Sequence, residues 1–278
     1  MATDYLRDIN ITVALALSED IGSGDITAGL IDTSQVSEAE VLTREQAVIC
    51  GQDWVNEVFS QIDPTTVLKW MIQDGDQVPA DTVLCRIHGK TQSLLTAERT
   101  ALNFLQTLSA TATRTNHLVQ LVSHTDVNLL DTRKTLPGLR LAQKYAVMTG
   151  GGQNHRIGLF DAFLIKENHI AASGSIENAV RKARRLSPGT MLEVEVESLD
   201  ELRLTLKSSP DRILLDNFSL ADIRQAVIEA GQSVELEASG DIESDQDLIA
   251  IAETGVDYIS IGTLTKHCRA IDLSMLFI

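Results

Sequence analysis

The sequence predicts an α/β protein in which an antiparallel N-terminal region precedes a larger region built on a parallel sheet. Residues 65–89 contain short β-branched runs, an Asp74-Gly75 turn and Pro79, a pattern typical of hairpins. Beyond residue 126, apolar strands alternate with amphipathic helices, which is typical of a parallel sheet with buried strands. Polar or glycine residues follow each of those strands, which favours a functional site at one edge of the sheet.

A long helix is predicted between the two regions. From Ser93 onward, leucines recur at three- to seven-residue spacing, and Ser93 or Thr96 is placed to cap the helix. With 278 residues the chain has room for one large α/β domain or two unequal domains, and no linker is obvious.

The later region reads as a regular series of strands and helices. Predicted strands cover residues 127–131, 161–166, 191–196, 212–216, 234–238 and 257–262. Predicted helices lie near 176–187, 199–208, 219–231 and 243–255. In a closed β/α barrel the carboxyl ends of such strands converge on one mouth, where active sites are built. An open doubly wound sheet is the alternative, but its site would gather at one switch point and leave most strand ends unused.

Composition excludes several classes of protein. The net charge of −16 and the pI near 4.7 are opposite to those of a nucleic-acid-binding domain. No apolar run approaches the length of a membrane span, and the N-terminal segment lacks the basic region and cleavage site of a signal peptide. Three widely spaced cysteines without a CxxC pair indicate free thiols in a reducing compartment. We therefore expect a cytoplasmic protein without membrane or nucleic-acid partners.

Positive charge is concentrated in one stretch of this acidic chain. Residues 132–169 hold six Lys or Arg and two acids, together with His155 and His169. Arginine offers a planar fork to a carboxylate or phosphate and lysine a compact charge, so the mixture suits a small ligand with several anionic groups. A solvated basic surface is the alternative, although such a surface would not follow strand ends. The basic residues are Arg133, Lys134, Arg140, Lys144, Arg156 and Lys166.

Acidic and small residues complete the predicted strand ends. Glu193, Glu195 and Glu197 alternate along one strand, and Glu195 near its tip is the member most suited to function. With Asp216 on the next strand, Glu195 could hold Mg²⁺ or the hydroxyls of a ribose, unless the two carboxylates only pair with Lys or Arg. Small residues at two later strand ends are typical of a phosphate site. They are Ser239, Gly240, Gly262 and Thr263.

Several sequence blocks carry a family resemblance. DTRKTLPGLRLAQKYAV (131–147) and GGGQNHRIGLFDAFLIKENHI (150–170) resemble the signature of the quinolinate phosphoribosyltransferase family. Further blocks resemble that family in the same order, so the resemblance covers nearly the whole chain. They are EDIGSGDIT (19–27), TAERTALNFLQ (96–106), LEVEVES (192–198), LLDNF (214–218), EASGDI (237–242) and ISIGTLTKHCRAIDLSM (259–275).

The resemblance implies a fold and an assembly. It implies an N-terminal α/β sandwich domain over residues 1–105, with residues 269–278 packing back on it, and an incomplete β/α barrel of seven strands over 106–268. Members of the family are dimers or larger, with an arginine of the neighbouring subunit entering each site. That arginine matches Arg99 here.

The resemblance also implies roles for the strand-end residues. Arg133, His155, Arg156 and Lys166 would bind the two quinolinate carboxylates, with Thr132 beside them, and Lys134 would lie near the phosphoribosyl donor. Glu195 and Asp216 would serve the ribose and Mg²⁺, and Lys134, Glu195 and Asp216 would carry the catalysis. Ser239, Gly240, Gly262 and Thr263 would hold the phosphate. Asp241 and Ala110 depart from the family pattern, and Asp241 bears on the phosphate contact.

The implied activity is phosphoribosyl transfer from phosphoribosyl pyrophosphate to quinolinate with decarboxylation, giving nicotinate mononucleotide for NAD biosynthesis. One alternative is a related phosphoribosyltransferase acting on nicotinate or another small acid, or a paralogue linked to metal transport. A remote alternative is a carrier module, because DGDQVPADTVLCRIHG (74–89) resembles a lipoyl hairpin. Such a hairpin needs a lysine at its tip, and Asp74-Gly75-Asp76 stands there.

Overall fold

A computed structural model describes residues 4–240, 242 and 244–278. Its strands are β1 (Val36–Thr43), β2 (Ala47–Val48), β3 (Val67–Trp70), β4 (Gln77–Val78), β5 (Val83–Lys90), β6 (Asn128–Leu130), β7 (Phe163–Ile165), β8 (Leu192–Val196), β9 (Arg212–Asp216), β10 (Glu235–Ser239), β11 (Tyr258–Ser260) and β12 (Leu273–Phe277). Its helices are α1 (Ile9–Ile21), α2 (Gln52–Ile62), α3 (Thr91–Leu121), α4 (Arg140–Thr149), α5 (Glu167–Ser173), α6 (Ile176–Leu186), α7 (Leu199–Leu206), α8 (Leu220–Ala230), α9 (Asp245–Ala252) and α10 (Thr263–Lys266).

The first compact unit holds an antiparallel sheet. It comprises the chain up to Asn116, Thr135–Gly151 and Leu264–Ile278. The strand order is β12-β1-β5-β3, so the strand near the chain end pairs with the first strand. Alternate residues of β1 and β5 are buried against apolar side chains of α2 and α3, which is the period expected of a sheet with one covered face. The domain boundary after residue 105 stays a prediction.

The hairpin predicted for residues 65–89 is present as the β3–β5 pair. Lys69 lies opposite Arg86, and the connection between the strands contains the short β4. The Asp74 carboxylate at the turn accepts the backbone N–H groups of Gly51 and Gln52. This turn is thus tied to the start of α2.

The predicted long helix is present, but its predicted cap is wrong. The helix begins at Thr91, two residues before Ser93. The Ser93 hydroxyl donates instead to Asp63, and the Thr96 hydroxyl donates to Asp25. The leucine spacing located the helix, whereas the cap depended on side chains that are remote in sequence.

The second compact unit, His117–Lys134 with Gly152–Thr263, contains a six-stranded parallel sheet in the order β6-β11-β10-β9-β8-β7. All six predicted strands are present, with ends within two residues of the prediction. In this sheet the first strand along the chain, β6, pairs with the last, β11, as in a β/α barrel. A doubly wound sheet would instead reverse its order at an internal switch point. The mixed α/β fold class, with one antiparallel sheet and a barrel-like parallel sheet, is confirmed.

The seventh barrel strand is reduced to one bridge in the described part of the chain. Gln153 forms a parallel bridge with Leu130 beside β6, and no regular strand surrounds it. Three glycines, Gly150 to Gly152, precede it, and Gly151 has a φ of 93°. Glycine disfavours a regular strand, which explains why six strands rather than seven are formed.

Serine residues begin four of the barrel helices. Ser175, Ser198, Ser219 and Ser244 each accept the backbone N–H of the third residue that follows. These caps set the start of each helix one residue after the serine, so the preceding strand ends and loops have defined lengths. Among the helices that the structure describes, none is long and apolar enough to cross a membrane.

Candidate active site

The carboxyl ends of the six parallel strands gather most of the predicted site residues. Because the strands are parallel, residues that follow them lie at the same edge of the sheet. Every predicted site residue except Arg99 belongs to the second compact unit. These residues are Thr132, Arg133 and Lys134 after β6, His155 and Arg156 near the bridge, Lys166 after β7, Glu195 in β8, Asp216 at the end of β9, Ser239 at the end of β10, Gly240 after it, and Gly262 and Thr263 after β11.

Two arginines at this edge lie close enough to repel each other. Burial of the Arg156 side chain, together with the positive charge of Arg133, lowers the pKa of the Arg156 guanidinium. Glu193, Asp161 and Glu195 oppose this shift. Two like charges held together in a half-buried position are unfavourable unless an anion joins them. The arrangement therefore suits a ligand with more than one anionic group.

Lys166 and Glu195 form an ion pair across neighbouring strand ends. Lys166 Nζ lies 2.5 Å from Glu195 Oε2, with 41% of the lysine side chain exposed and 9% of the glutamate. The pair joins a residue predicted for quinolinate to one predicted for ribose. These two charges neutralise each other, so a ligand that binds either side chain must compete with the pair.

Asp216 lies at the next strand end, beside a residue of unusual conformation. Asn217 has a φ of 56°, a value that asparagine tolerates better than most residues, and its amide donates to Asp216 Oδ2. A Cβ on Gly240 would stand 2.6 Å from Asn217 Oδ1. Glycine is therefore needed at position 240 for β10 to end this close to Asn217. Asp241, which departs from the family pattern beside the expected phosphate contact, lies outside the described residues.

Lys134 crosses the end of β11 through a gap left by glycine. The Lys134 backbone N–H donates to Thr132 Oγ1 at 3.0 Å. A Cβ on Gly262 would lie 3.0 Å from Lys134 Cδ, which is tighter than ordinary contact. The absence of a side chain at position 262 thus allows the lysine to lie beside Thr132 at this strand end.

The basic stretch of the sequence divides between the two compact units. Arg140 and Lys144 lie on α4, which belongs to the first unit. Lys144 is fully buried and the Arg140 guanidinium donates to Thr135. Arg99 also lies in the first unit, on α3, with 60% of its side chain exposed. The sequence grouped the basic residues of 132–169 because they are neighbours along the chain, which does not determine whether they are neighbours in space.

The loop that carries His155 is fastened to β6 through Asp131. Asp131 is fully buried and accepts both the Asn154 side-chain amide, at 2.6 Å, and the His155 backbone N–H, at 3.0 Å. The His155 ring lies 2.7 Å from Glu193 through Nε2, and Nδ1 accepts the Arg156 backbone N–H at 2.7 Å. The role of Asp131 was missed by the sequence analysis, which treated this residue only as a strand end.

Two carboxylates lie in the barrel interior below His155. Glu193 on β8 and Glu237 on β10 are both fully buried. Burial raises the pKa of Glu193. Burial and then the negative charge of Glu193 raise the pKa of Glu237 to about 7. Arg212 on the strand between them lies 3.2 Å from Glu237. Glu237 was also missed, although it stands two residues before Ser239 and so shares its face of β10.

The same three side chains have the composition of a metal site. Ligand atoms of His155, Glu193 and Glu237 lie within 4.8 Å of one another. However, the Arg212 guanidinium lies 3.2 Å from Glu237. Its positive charge occupies one side of that carboxylate and repels a metal ion, so the set does not fit one. The carboxylates of Glu195 and Asp216, at adjacent strand ends, have the oxygen chemistry that Mg²⁺ prefers.

Glu237→Gln is expected to remove a pH-dependent loss of stability. A carboxyl whose pKa rises from 4.5 to about 7 on folding stabilises the fold below pH 4.5, and this contribution is lost as pH rises through 7. Between pH 4.5 and pH 8, the free energy of unfolding of the variant should therefore gain about 3 kcal/mol relative to wild type. Chemical denaturation across this range measures the difference. Glu235→Gln, on the same strand but 52% exposed, is the matched control. A difference that stays constant with pH would contradict the assignment.

Comparison with known families covers nearly the whole chain. Residues 25–109 match the N-terminal domain of quinolinate phosphoribosyl transferase, and residues 111–276 match its C-terminal domain. A relative named nicotinate-nucleotide pyrophosphorylase [carboxylating], from Mycobacterium leprae, is 41% identical over 281 residues, which is 98% of this chain and 97% of the relative.

A second relative and a solved structure agree with this match. The probable nicotinate-nucleotide pyrophosphorylase [carboxylating] of Bacillus subtilis is 40% identical over 258 residues, covering 92% of this chain and 89% of the relative. The structure of the nicotinate-nucleotide pyrophosphorylase from Francisella tularensis superposes with a TM-score of 0.95 at 51% identity, covering 97% of this chain and 96% of that one. The chain therefore belongs to the quinolinate phosphoribosyltransferase family.

Proposed function

We propose that this protein transfers the phosphoribosyl group of phosphoribosyl pyrophosphate to quinolinate. The products are nicotinate mononucleotide, pyrophosphate and CO₂, and the reaction serves NAD biosynthesis. Membership of the family over residues 25–109 and 111–276 supports the assignment. The observation within the site that carries it is the pair of mutually repelling guanidiniums, Arg133 and Arg156, at the barrel edge. A diacid supplies two negative groups to such a pair.

The charge of the substrate separates quinolinate from its closest rival. Quinolinate has two carboxylates, whereas nicotinate has one. Arg133 and Arg156 together with Lys166 offer three cations, of which Lys166 is already paired with Glu195. Two carboxylates can contact more of these cations at once than one carboxylate can, so quinolinate gains more charge–charge attraction in this site. The rival that acts on nicotinate therefore fits the site less well.

The phosphoribosyl donor is assigned to the carboxyl ends of β6, β10 and β11. Lys134, held beside Thr132, would contact the donor with its ammonium group. Ser239, Gly240, Gly262 and Thr263 would bind the terminal phosphate. Glycine at 240 allows the backbone to approach Asn217, and glycine at 262 leaves room for the Lys134 side chain. Small residues of this kind let backbone N–H groups reach a phosphate.

Mg²⁺ is the cofactor that we propose for the donor. Glu195 and Asp216 would hold it, either directly or through water. When bound, the ion neutralises charge on the pyrophosphate leaving group. Because Glu195 is paired with Lys166, a quinolinate carboxylate that attracts Lys166 would make Glu195 available to the ribose and the metal.

The remaining chemistry follows from the positions of the charged side chains. The pyridine nitrogen attacks C1 of the ribose, pyrophosphate departs, and positive charge develops on the ribose ring. A carboxylate of Glu195 near the ring would stabilise that charge, because it acts from a largely buried position. The carboxylate next to the positive ring nitrogen then leaves as CO₂, and its bonding electron pair stays on the ring carbon, where the adjacent positive charge stabilises it. That carbon takes up a proton from water to give nicotinate mononucleotide. Arg133 and Arg156 keep the ring in place during both steps.

Purified protein with Mg²⁺ and phosphoribosyl pyrophosphate tests the substrate directly. Pyridine absorbance should change with quinolinate and stay constant with nicotinate. Release of one CO₂ for each nicotinate mononucleotide formed confirms the decarboxylation. Turnover of nicotinate without turnover of quinolinate would overturn the assignment and establish the rival activity.

Glu195→Gln and Asp216→Asn are expected to lower turnover more than they weaken quinolinate binding. Their proposed partners are the ribose and the metal, so each variant should lose about 100-fold in kcat while the quinolinate dissociation constant changes less than about threefold. Steady-state kinetics and calorimetry give the two quantities. An equal change in both would contradict the assignment to the donor side of the site.

A homodimer located in the cytoplasm completes the proposal. Arg99 is exposed on α3, where its nearest acidic group, Glu98, is 3.9 Å away. A partner subunit's site would use this arginine for an anionic substrate. Free thiols at all three cysteines are consistent with a reducing compartment. Neither nucleic acid nor membrane is among the proposed partners, in keeping with the acidic charge.

A further inference from the structure

The barrel interior contains four ionisable side chains that have no step in the proposed reaction. His155, Glu193, Glu237 and Arg212 expose between 0% and 12% of their side chains, and we name them the buried polar cluster. Arg212 also lies 3.7 Å above the ring of Tyr258. Burial of four ionisable groups is costly, so the cluster calls for a role that offsets this cost.

The hydrogen bonds of His155 determine which ring nitrogen carries the proton. Nδ1 accepts the Arg156 backbone N–H at 2.7 Å, so Nδ1 has no proton of its own. The neutral ring therefore carries its proton on Nε2. Nε2–H donates to Glu193 Oε2 at 2.7 Å, with Glu237 Oε2 3.5 Å away. Both ring nitrogens are thus directed at protein atoms.

The chain around Arg156 needs such an anchor. Three glycines precede the loop, and the only strand contact found there within the described residues is the bridge at Gln153. Arg156 is consequently held by its neighbours in the loop and not by a strand. Asp131 fixes the His155 backbone N–H, and the His155 ring fixes the Arg156 backbone N–H. Without the ring, the Arg156 backbone N–H would lose this acceptor, and the loop would hold the residue less firmly.

We propose that His155 is a positioning residue for Arg156, and that Glu193 and Glu237 hold His155 in place. This inference rests on the proposed function, because it assigns Arg156 to quinolinate. It changes the role of His155 from a ligand of quinolinate to a support of the arginine that binds quinolinate. Glu193 accepts the ring proton. Glu237, tied to Arg212 on the neighbouring strand, keeps Glu193 from turning away.

The arrangement of the two carboxylates supports this role. Oε1 of Glu193 and Oε1 of Glu237 are buried and meet no hydrogen-bond donor among the described residues. An acceptor without a donor in the interior costs free energy, and a single proton shared between the two Oε1 atoms would remove that cost. Glutamine in place of either carboxyl supplies an amide N–H instead of the shared carboxyl proton, so the amide variant is the conservative one.

A double-mutant cycle separates positioning from direct contact. In the otherwise unchanged protein, His155→Leu should raise the quinolinate dissociation constant about tenfold. In the Arg156→Ala background, His155→Leu should raise the quinolinate dissociation constant less than about twofold, since the residue that His155 positions is gone. Ligand-observed NMR titration can measure the weak binding that remains after Arg156→Ala. A tenfold rise in both backgrounds would mean that His155 contacts quinolinate itself, and would overturn the proposal.

Variants of Glu193 add a second measurement. Glu193→Gln keeps an oxygen for the ring proton and should stay within about threefold of wild type in quinolinate affinity, whereas Glu193→Leu should lose about tenfold. Affinity for phosphoribosyl pyrophosphate should stay within about twofold in both. Equal losses in the two variants would contradict the positioning role. Glu235→Leu, on the adjacent part of the sheet, is the control and should leave affinity unchanged.

The protonation of His155 can be measured without any substrate. ¹⁵N NMR of histidine-labelled protein at pH 7 should show a neutral ring with the proton on Nε2, and His155→Leu identifies its signals. A proton on Nδ1, or on both nitrogens, would overturn the proposal even if quinolinate is the substrate. If the labelled ring is as expected but wild type neither binds nor converts quinolinate, the proposed function fails instead. The thermal unfolding midpoint of each variant is measured to show that the variant is folded. If Glu193→Leu does not fold, the affinity of Glu193→Gln and the ¹⁵N spectrum still test the proposal.

Discussion

Arg133→Ala and Arg156→Ala are each expected to weaken quinolinate binding by about 2 to 5 kcal/mol, which is roughly 30- to several-thousand-fold in the dissociation constant. The cause is the loss of a charge partner for a carboxylate that has left water. Each deletion also relieves the repulsion between the two guanidiniums, whose mutual effect contributes to the lowered pKa of Arg156. Calorimetry with quinolinate measures the loss of affinity, and thermal unfolding without quinolinate checks that each variant is folded.

Two further measurements show whether the effect is specific to quinolinate and to these two arginines. Affinity for phosphoribosyl pyrophosphate should change little, because its proposed contacts lie at Lys134 and the later strand ends. Arg181→Ala removes an exposed arginine of α6, whose guanidinium lies 3.3 Å from Glu177, and should leave quinolinate binding unchanged. Unchanged quinolinate binding in Arg133→Ala and Arg156→Ala would show that the two residues form a solvated basic surface.

Arg99→Ala and Lys134→Ala are each expected to lose about 100-fold or more in activity, yet to restore activity when their subunits are mixed. A cation that loses its anionic partner in a closed site costs several kcal/mol. If Arg99 enters the site of the partner subunit, one site of a mixed dimer carries both changes and the other carries neither. Random exchange makes about half of the dimers mixed, so about a quarter of wild-type activity should return.

Two measurements are needed before the mixture is interpreted. Native mass spectrometry must show that subunits have exchanged, and each variant must have a normal unfolding midpoint. The control mixes Lys134→Ala with Arg133→Ala, both of which lie in the same compact unit and affect the same site of a subunit. That mixture should stay inactive. Mixed dimers of Arg99→Ala and Lys134→Ala that stay inactive would place Arg99 in its own subunit's site or limit it to supporting α3.

Local periodicity explains how much of the fold could be predicted. Strands such as LEVEV and RILLD are short apolar or alternating runs, and their ends agree with the structure within two residues because side-chain direction repeats every two residues in a strand. The serine before each of four helices marks its start in the same local way. The cap predicted for α3 failed because Ser93 found a partner in Asp63, thirty residues away.

The sequence by itself determined the α/β class, the order of the strands and the set of charged residues that follow them, because all of these depend on neighbours in the chain. Tertiary structure alone decided which of those charges meet. It joined Lys166 to Glu195, assigned Arg140 and Lys144 to a different compact unit from Arg156, and placed Glu237 3.5 Å from His155. The physical reason is that an ion pair or a buried hydrogen bond depends on which strands are adjacent in the sheet. That adjacency is set by the packing of the whole barrel and not by the spacing of residues along the chain.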